Sequence, residues 1–286
     1  MTLEIRRVAN GLGACVRGVD LSGEMDDDTI ARIHDAFLEH LVLIFPGQEI
    51  SPERQIAFSR HFGELDLHES LPHYRHPDHP EILLITNHAI GGKPSETRNT
   101  GRQWHIDLSY TVRPSTGALL HCMEIPDVGG DTMFANMYLA YEALSEPLQQ
   151  FLSGLDAIHD FNTIKANAKR DPEQLASMRR LNPPVAHPAV RVHEKTGRKS
   201  LYVTEMVTSH FDGLTREESA PLLEYLFRHS VQPEFTYRHR WQVGDLVMWD
   251  NRCTMHLALA DFDQSKPRHM FRTTLKGRPS GRLYAQ

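Results

Sequence analysis

Three His-x-Asp triplets stand in a chain with 18 histidines: His76-Pro77-Asp78, His105-Ile106-Asp107 and His210-Phe211-Asp212. A histidine and a carboxylate two residues apart can hold a divalent metal if they share a strand face. Context separates the three. The first triplet is interleaved with proline in Tyr74-Arg-His-Pro-Asp-His-Pro80. Proline cannot donate to a sheet ladder, so a surface loop is expected there. The third follows Thr208-Ser209 and precedes Gly213, which reads as a turn with solvated side chains. The middle one lies in Trp104-His-Ile-Asp-Leu-Ser-Tyr110, where bulky apolar and polar residues alternate. As a strand, this segment turns Trp104, Ile106 and Leu108 into packing and points His105 and Asp107 the same way. Two polar groups among apolar partners need compensation, which a metal ion supplies. A His–Asp hydrogen bond on an exposed sheet face is the plainer alternative.

A third ligand should come from a distant strand. Gly244-Asp-Leu-Val-Met-Trp-Asp-Asn251 reads as a strongly apolar strand, and His256 follows it after a turn. His105, Asp107 and His256 make a set of two histidines and one carboxylate. That is the donor pattern of non-haem Fe(II) oxygenases, which keep coordination positions open. The same donors bind zinc in hydrolases. A zinc-dependent hydrolase and a non-catalytic jelly-roll binding module with a structural metal therefore stay open at this point. No HExxH helix occurs, and no second cysteine pair completes a closed zinc site with Cys253.

An anion site is expected beside these donors. In Lys266-Pro-Arg-His-Met-Phe-Arg-Thr-Thr-Leu-Lys276, Arg268, Met270 and Arg272 share one strand face. Two inward arginines are costly unless an anion neutralises them, and their planar forks grip carboxylates. Beside a metal, dianionic 2-oxoglutarate is the candidate; two surface arginines are the alternative. Gly129-Gly130-Asp131-Thr132 opens a strand at a tight turn, where the Thr132 hydroxyl could donate to the same carboxylate.

The elements that must hold these residues are short. A glycine-bent strand is expected over 12–21. A helix over 26–40 has an acidic first turn and an apolar stripe of Ile30, Ile33 and Phe37. A buried strand over 41–45 follows, then a helix begun by Ser51 as N-cap with Pro52 at its first position. Strands are expected at 81–86, 104–111, 115–124, 131–136, 234–240, 245–250 and 269–276. Helices are expected at 138–153 and 215–229, and a hairpin at 185–204 turns near 194–197. Residues 88–103 read as a lid loop and 162–182 as a polar, basic insert. Many short strands with a few helices imply a mainly β fold, a jelly-roll core with flanking α-helices. No linker divides the chain, so one domain over 1–286 is expected.

The bulk numbers narrow the partners. The chain has 286 residues, 40% hydrophobic and 24% charged, with a net charge of −6 and a pI near 6.3. No Lys/Arg block points to nucleic acid. A small anionic substrate would need local positive charge, because the whole protein repels it. Cys15, Cys122 and Cys253 are odd in number and far apart, so reduced thiols in a cytoplasmic protein are expected. Neither an apolar leader nor a membrane-length apolar run is seen. Helices outside a β core suit a homodimer or homotetramer.

At these residues the chain resembles the taurine dioxygenase / 2,4-dichlorophenoxyacetate dioxygenase family of Fe(II)- and 2-oxoglutarate-dependent oxygenases. The marks are Phe45-Pro-Gly-Gln48, Phe62-Gly-Glu-Leu65, Trp104-His-Ile-Asp107, Gly129-Gly-Asp-Thr132, Ala140-Tyr-Glu-Ala-Leu144, Trp249-Asp-Asn-Arg252, His256 and the Arg268/Arg272 pair. The resemblance spans nearly the whole chain. It implies a double-stranded β-helix and iron held by His105, Asp107 and His256. It places Thr132 and Arg268 on the distal carboxylate of 2-oxoglutarate. Arg272 would lie between co-substrate and substrate anion, with His68 as a second anion contact. The implied activity consumes O₂ and 2-oxoglutarate, releases succinate and CO₂, and hydroxylates the carbon beside the substrate's anionic group. Leu71, Gly101, Val207 and the residues after Phe161 depart from the taurine-oxidising branch. The anion clamp is thus kept while the rest of the pocket differs. The implied substrate is a sulfonate such as taurine or an alkyl sulfate, with an aryloxyalkanoate as the alternative.

Overall fold

The structure, a computed structural model, describes residues 3–69, 74–90, 92–95, 101–165, 167 and 172–285. Its main sheet has seven strands. In spatial order they are Glu4–Arg7, Ala14–Arg17, Val42–Phe45, Leu246–Asp250, Gly117–Glu124, His269–Leu275 and Leu83–Thr86. All neighbours are antiparallel except Ala14–Arg17 beside Val42–Phe45. A three-stranded sheet, Thr236–His239, Thr132–Asn136 and Thr254–Ala258, forms the second layer. Four further strands, Thr208–Phe211, Asp156–His159, Val185–Pro188 and Arg282–Leu283, extend the β structure. The architecture is the expected jelly roll.

The central strands are largely apolar on both faces because both faces are covered. Along Leu246–Asp250, Leu246 and Met248 join a cluster with Ile33, Phe37, Ile56 and Phe58 of the two N-terminal helices. Val247 and Trp249 point the other way, into a cluster with Leu120, Phe134 and Trp241. Each such aliphatic or aromatic side chain contributes about 1.5–3 kcal/mol when fully buried. The helix Asp27–His40 starts where Asp26 accepts from Thr29 N at 2.7 Å. The helix Pro52–Arg60 starts where Ser51 accepts from Arg54 N.

Several expectations need correction. The helix over 138–153 is two, Met137–Glu142 and Glu146–Ser153, with Pro147 in the first turn of the second. The segment over 104–111 is not a strand. Only His105 makes a single antiparallel bridge, and the chain then turns through Leu108 at φ 56°. His256 follows a turn as expected, and it stands in the strand Thr254–Ala258. The triplet at His210 is no solvated turn: His210 is buried in the strand Thr208–Phe211, paired to Asp156–His159. His76 lies in the expected loop, edge-on to Phe271. Of the lid, Ala89–Ile90 pairs with Lys93–Pro94, while 91 and 96–100 lie outside the described residues. The insert contains the helix Pro172–Leu181, with 166 and 168–171 outside the described residues, as is Leu71.

Candidate metal centre

Two pieces of chain meet at the site. One is the turn that carries the chain from Leu246–Asp250 in the main sheet to Thr254–Ala258 in the three-stranded sheet, and it is locked internally. Arg252 donates from Nε to Asp250 Oδ1 at 2.8 Å and from Nη2 to Oδ2 at 2.6 Å. His193 Nε2 lies 3.1 Å from the same Oδ2. Burial opposes the Asp250 charge, but the Arg252 guanidinium overrides it and holds the carboxyl down to about 2. The second piece is Trp104–Tyr110. It attaches to the strand Thr254–Ala258 by reciprocal backbone bonds, His105 N to His256 O at 3.1 Å and His256 N to His105 O at 2.9 Å. The two imidazoles are thereby stacked at a tilt, with ring centroids 4.0 Å apart.

This bridge brings the expected donors together. His105, Asp107 and His256 offer ligand atoms that all lie within 4.8 Å of one another. His105 Nε2 is 3.9 Å from Asp107 Oδ1, and His256 Nε2 is 3.8 Å from Oδ2. All three residues are 6–7% exposed. His105 Nδ1 lies 2.9 Å from Gln103 O, an acceptor only, so the proton sits on Nδ1 and the Nε2 lone pair faces the carboxylate. Burial pushes both imidazoles below their ordinary value, and so keeps them neutral. Burial alone would raise the Asp107 carboxyl, but Arg272 above all, then His256 and His105, hold it well below the usual carboxylate range. Two neutral imidazoles and an ionised carboxylate in a shared pocket fit a divalent cation.

Arg272 Nη1 donates to Asp107 Oδ1 at 3.1 Å. Its Nε is a buried donor without a partner among the described residues, and so is one ring nitrogen of His68, Nε2. His68 sits at φ 50°, and burial followed by the charge of Arg272 pushes it to about 4. Just before the strand His269–Leu275, Arg268 is 7% exposed and donates from Nε to Gly130 O at 3.2 Å. Burial, then the charge of Arg102, lowers Arg268 to about 10. Among the described residues no carboxylate forms a salt bridge with it. Gly129 and Gly130, at φ 80° and 75°, carry the turn into Thr132. Thr132 Oγ1 accepts from Trp241 Nε1 at 3.0 Å, which leaves the hydroxyl hydrogen free to donate. Of the residues expected at the site, Arg272 and His68 thus stand close to the three metal donors, and Arg268 bonds the turn that leads into Thr132.

A second set of possible donors, His193, Asp250 and Cys253, also falls within ligand range. Both Asp250 oxygens are committed to Arg252. Burial raises the Cys253 thiol, which keeps it protonated. That cluster is the lock of the turn. Sequence reasoning missed two residues. Trp241 gave no signal. Asn251, buried against Asp107, was visible only as part of the Trp249-Asp-Asn-Arg252 mark.

Comparison with known proteins agrees with this geometry. Residues 4–274 match the family described as taurine catabolism dioxygenase TauD, TfdA family. The chain is 36% identical over 283 residues to the alpha-ketoglutarate-dependent 2,4-dichlorophenoxyacetate dioxygenase of Cupriavidus pinatubonensis, across 93% of this chain and 96% of that one. It is 32% identical over 286 residues to the alpha-ketoglutarate-dependent sulfate ester dioxygenase of Pseudomonas putida, across 97% and 90%. The crystal structure of AAD-2 in complex with Mn(II) and N-oxalylglycine is similar with a TM-score of 0.85 at 31% identity, covering 100% of both chains.

Proposed function

The chain belongs to the TauD, TfdA family of Fe(II)- and 2-oxoglutarate-dependent dioxygenases, and we propose that it hydroxylates a small anionic organic substrate on the carbon beside its anionic group. The family's cofactors are Fe(II), 2-oxoglutarate and O₂. The zinc-hydrolase and binding-module alternatives fall with family membership. In this reading His105, Asp107 and His256 hold the iron. When bound, the iron supplies O₂ activation, coupled to decarboxylation of 2-oxoglutarate to succinate and CO₂. Arg268 and the Thr132 hydroxyl bind the distal carboxylate of 2-oxoglutarate. Arg272 lies between that co-substrate and the substrate, and with His68 receives the substrate's anion. Trp249 and Phe134, with ring centroids 4.8 and 6.2 Å from that of His256, exclude water from one side. One catalytic domain, a homodimer or homotetramer and a cytoplasmic location belong to the same proposal. Among the described residues no helix is long and apolar enough to cross a membrane.

The observation that carries this reading is the pair of orphaned buried nitrogens, Arg272 Nε and His68 Nε2, beside the three metal donors. Unpaired buried polar atoms are costly, and an oxyanion satisfies both. A sulfonate or alkyl sulfate presents three oxygens to such a clamp and is the preferred class. An aryloxyalkanoate is the second reading, favoured by the 36% identity to the 2,4-dichlorophenoxyacetate enzyme. Succinate release should be measured with Fe(II), 2-oxoglutarate and a panel of sulfonates, alkyl sulfates and aryloxyalkanoates. Release stimulated by the sulfur oxyanions supports the first class, and release by the aryloxy acids alone transfers it to the second. Stimulation only by neutral or cationic compounds refutes both.

A further inference from the structure

The Asn251 side chain is fully buried and uses its whole hydrogen-bonding capacity. Its Oδ1 accepts from Trp249 Nε1 at 3.0 Å and from the Asp107 backbone N–H at 3.5 Å. Its Nδ2 donates to Ser115 Oγ at 3.1 Å and to Asp107 Oδ2 at 3.4 Å. An indole N–H only donates and a carboxylate only accepts, so a single amide orientation serves both. One side chain thus holds the backbone and the carboxylate of Asp107 together. It stands in the turn that leads into the strand of His256, and the Arg252–Asp250 pair braces that turn.

We infer that Asn251 is the positioning residue of the metal centre, fixing the plane of the Asp107 carboxylate against the two imidazoles before a metal arrives. The inference rests on the metal-site reading given above. The carboxylate has two holders, Asn251 on Oδ2 and Arg272 on Oδ1. Arg272 also has an unpartnered Nε, so in the proposed reaction its fork is shared with incoming anions. All four hydrogen-bonding positions of Asn251 are taken by protein groups, so it has none to share with an incoming anion. Without it, Asp107 is free to rotate into a two-oxygen pairing with Arg272, the fork geometry guanidinium favours. That rotation turns an oxygen away from the imidazoles.

The test is Mn(II) binding to the metal-free protein, read from the electron paramagnetic resonance signal of free Mn(II). Urea unfolding of each variant runs alongside, because a purely structural role moves the unfolding midpoint without moving metal affinity. Asn251→Ala is expected to weaken Mn(II) binding roughly 10- to 100-fold, the usual effect of losing a partner of a metal ligand. Ser115→Ala removes the other acceptor of the amide, together with the bond from Ser115 Oγ to Gly117 O, and is expected to weaken binding about 2- to 10-fold; it carries the test if Asn251→Ala does not fold. His105→Ala separates the two readings. If it binds Mn(II) as tightly as the unaltered protein, the metal site itself is wrong. If it loses Mn(II) while Asn251→Ala and Ser115→Ala bind normally, the site stands and the positioning role is overturned.

Discussion

Arg272 Nη1 donates to Asp107 Oδ1 at 3.1 Å, so a strand of the main sheet is charge-paired with the carboxylate of the metal site. The pair is largely buried, with Arg272 at 17% and Asp107 at 6% side-chain exposure. The same guanidinium is the proposed receptor for the substrate anion. Arg272→Ala should therefore weaken substrate binding by about 2–5 kcal/mol, the usual loss when one member of a buried charge pair is truncated. That is at least roughly thirtyfold. Arg272→Lys should recover only part of it, because an ammonium lacks the fork. An unchanged substrate KM in both variants would remove Arg272 from the clamp.

His105→Ala and Asp107→Ala should each abolish bound iron and succinate release. His76→Ala and His210→Ala should keep one iron per chain. His210 is 8% exposed, so its replacement should cost about 1–3 kcal/mol of stability while leaving the metal in place. Metal analysis of the purified variants checks all four. Full turnover without the imidazole of residue 105 would end the ligand assignment.

Arg268→Ala should weaken 2-oxoglutarate binding by about 2–5 kcal/mol. Trp241→Phe should weaken it less, by about 0.5–1.5 kcal/mol, because it removes only the bond that orients the Thr132 hydroxyl. The anaerobic charge-transfer band of Fe(II) with 2-oxoglutarate, titrated in each variant, gives both values. Equal affinity in Arg268→Ala and the unaltered protein would contradict the assignment.

Away from the metal, His159 and His187 pack ring to ring with centroids 5.2 Å apart. Burial, then the charge of His187, pushes His159 to about 3; burial, then the charge of Arg191, pushes His187 to about 4. Both fall below the ordinary 6.5, so the unfolded chain takes up protons that the folded chain refuses. The stability tied to their neutrality is complete above pH 6.5 and is lost as pH falls from there toward 4 and 3. Each group contributes a slope of about 1.4 kcal/mol per pH unit inside that window. Urea midpoints of the metal-free protein should drop between pH 7.5 and 5.5. His159→Phe, which keeps a ring against Tyr202, should reduce that drop by about 1 kcal/mol. An identical pH dependence in the variant would refute the assignment.

Much of the site was readable because its residues stand where apolar alternation breaks. His105 and Asp107 interrupt Trp104, Ile106 and Leu108, and the arginines at 268 and 272 interrupt an apolar strand. The pattern located the donors but not the backbone. A left-handed residue at Leu108 turns a would-be strand into a bridge and a turn. The strand bearing His256 is five residues long and pairs with Thr132–Asn136, far away in sequence, so no local signal announced it. His210 was misread for the same reason, since its strand exists only through Asp156–His159. By contrast, the capped helices at Asp27–His40, Pro52–Arg60 and Arg216–Ser230 were legible, because their start signals are local.

The reciprocal N–H···O pair between His105 and His256 makes each ligand the other's anchor, independent of the long stretch of chain joining them. Lengthening that stretch adds only a slowly growing loop-closure term. The insert and the strands Asp156–His159, Val185–Pro188 and Thr208–Phe211 lie within it and can be rebuilt or extended while the spacing of the imidazoles stays the same. In such a fold, the pocket that selects the substrate can be remodelled in evolution or by design without rebuilding the socket for the metal.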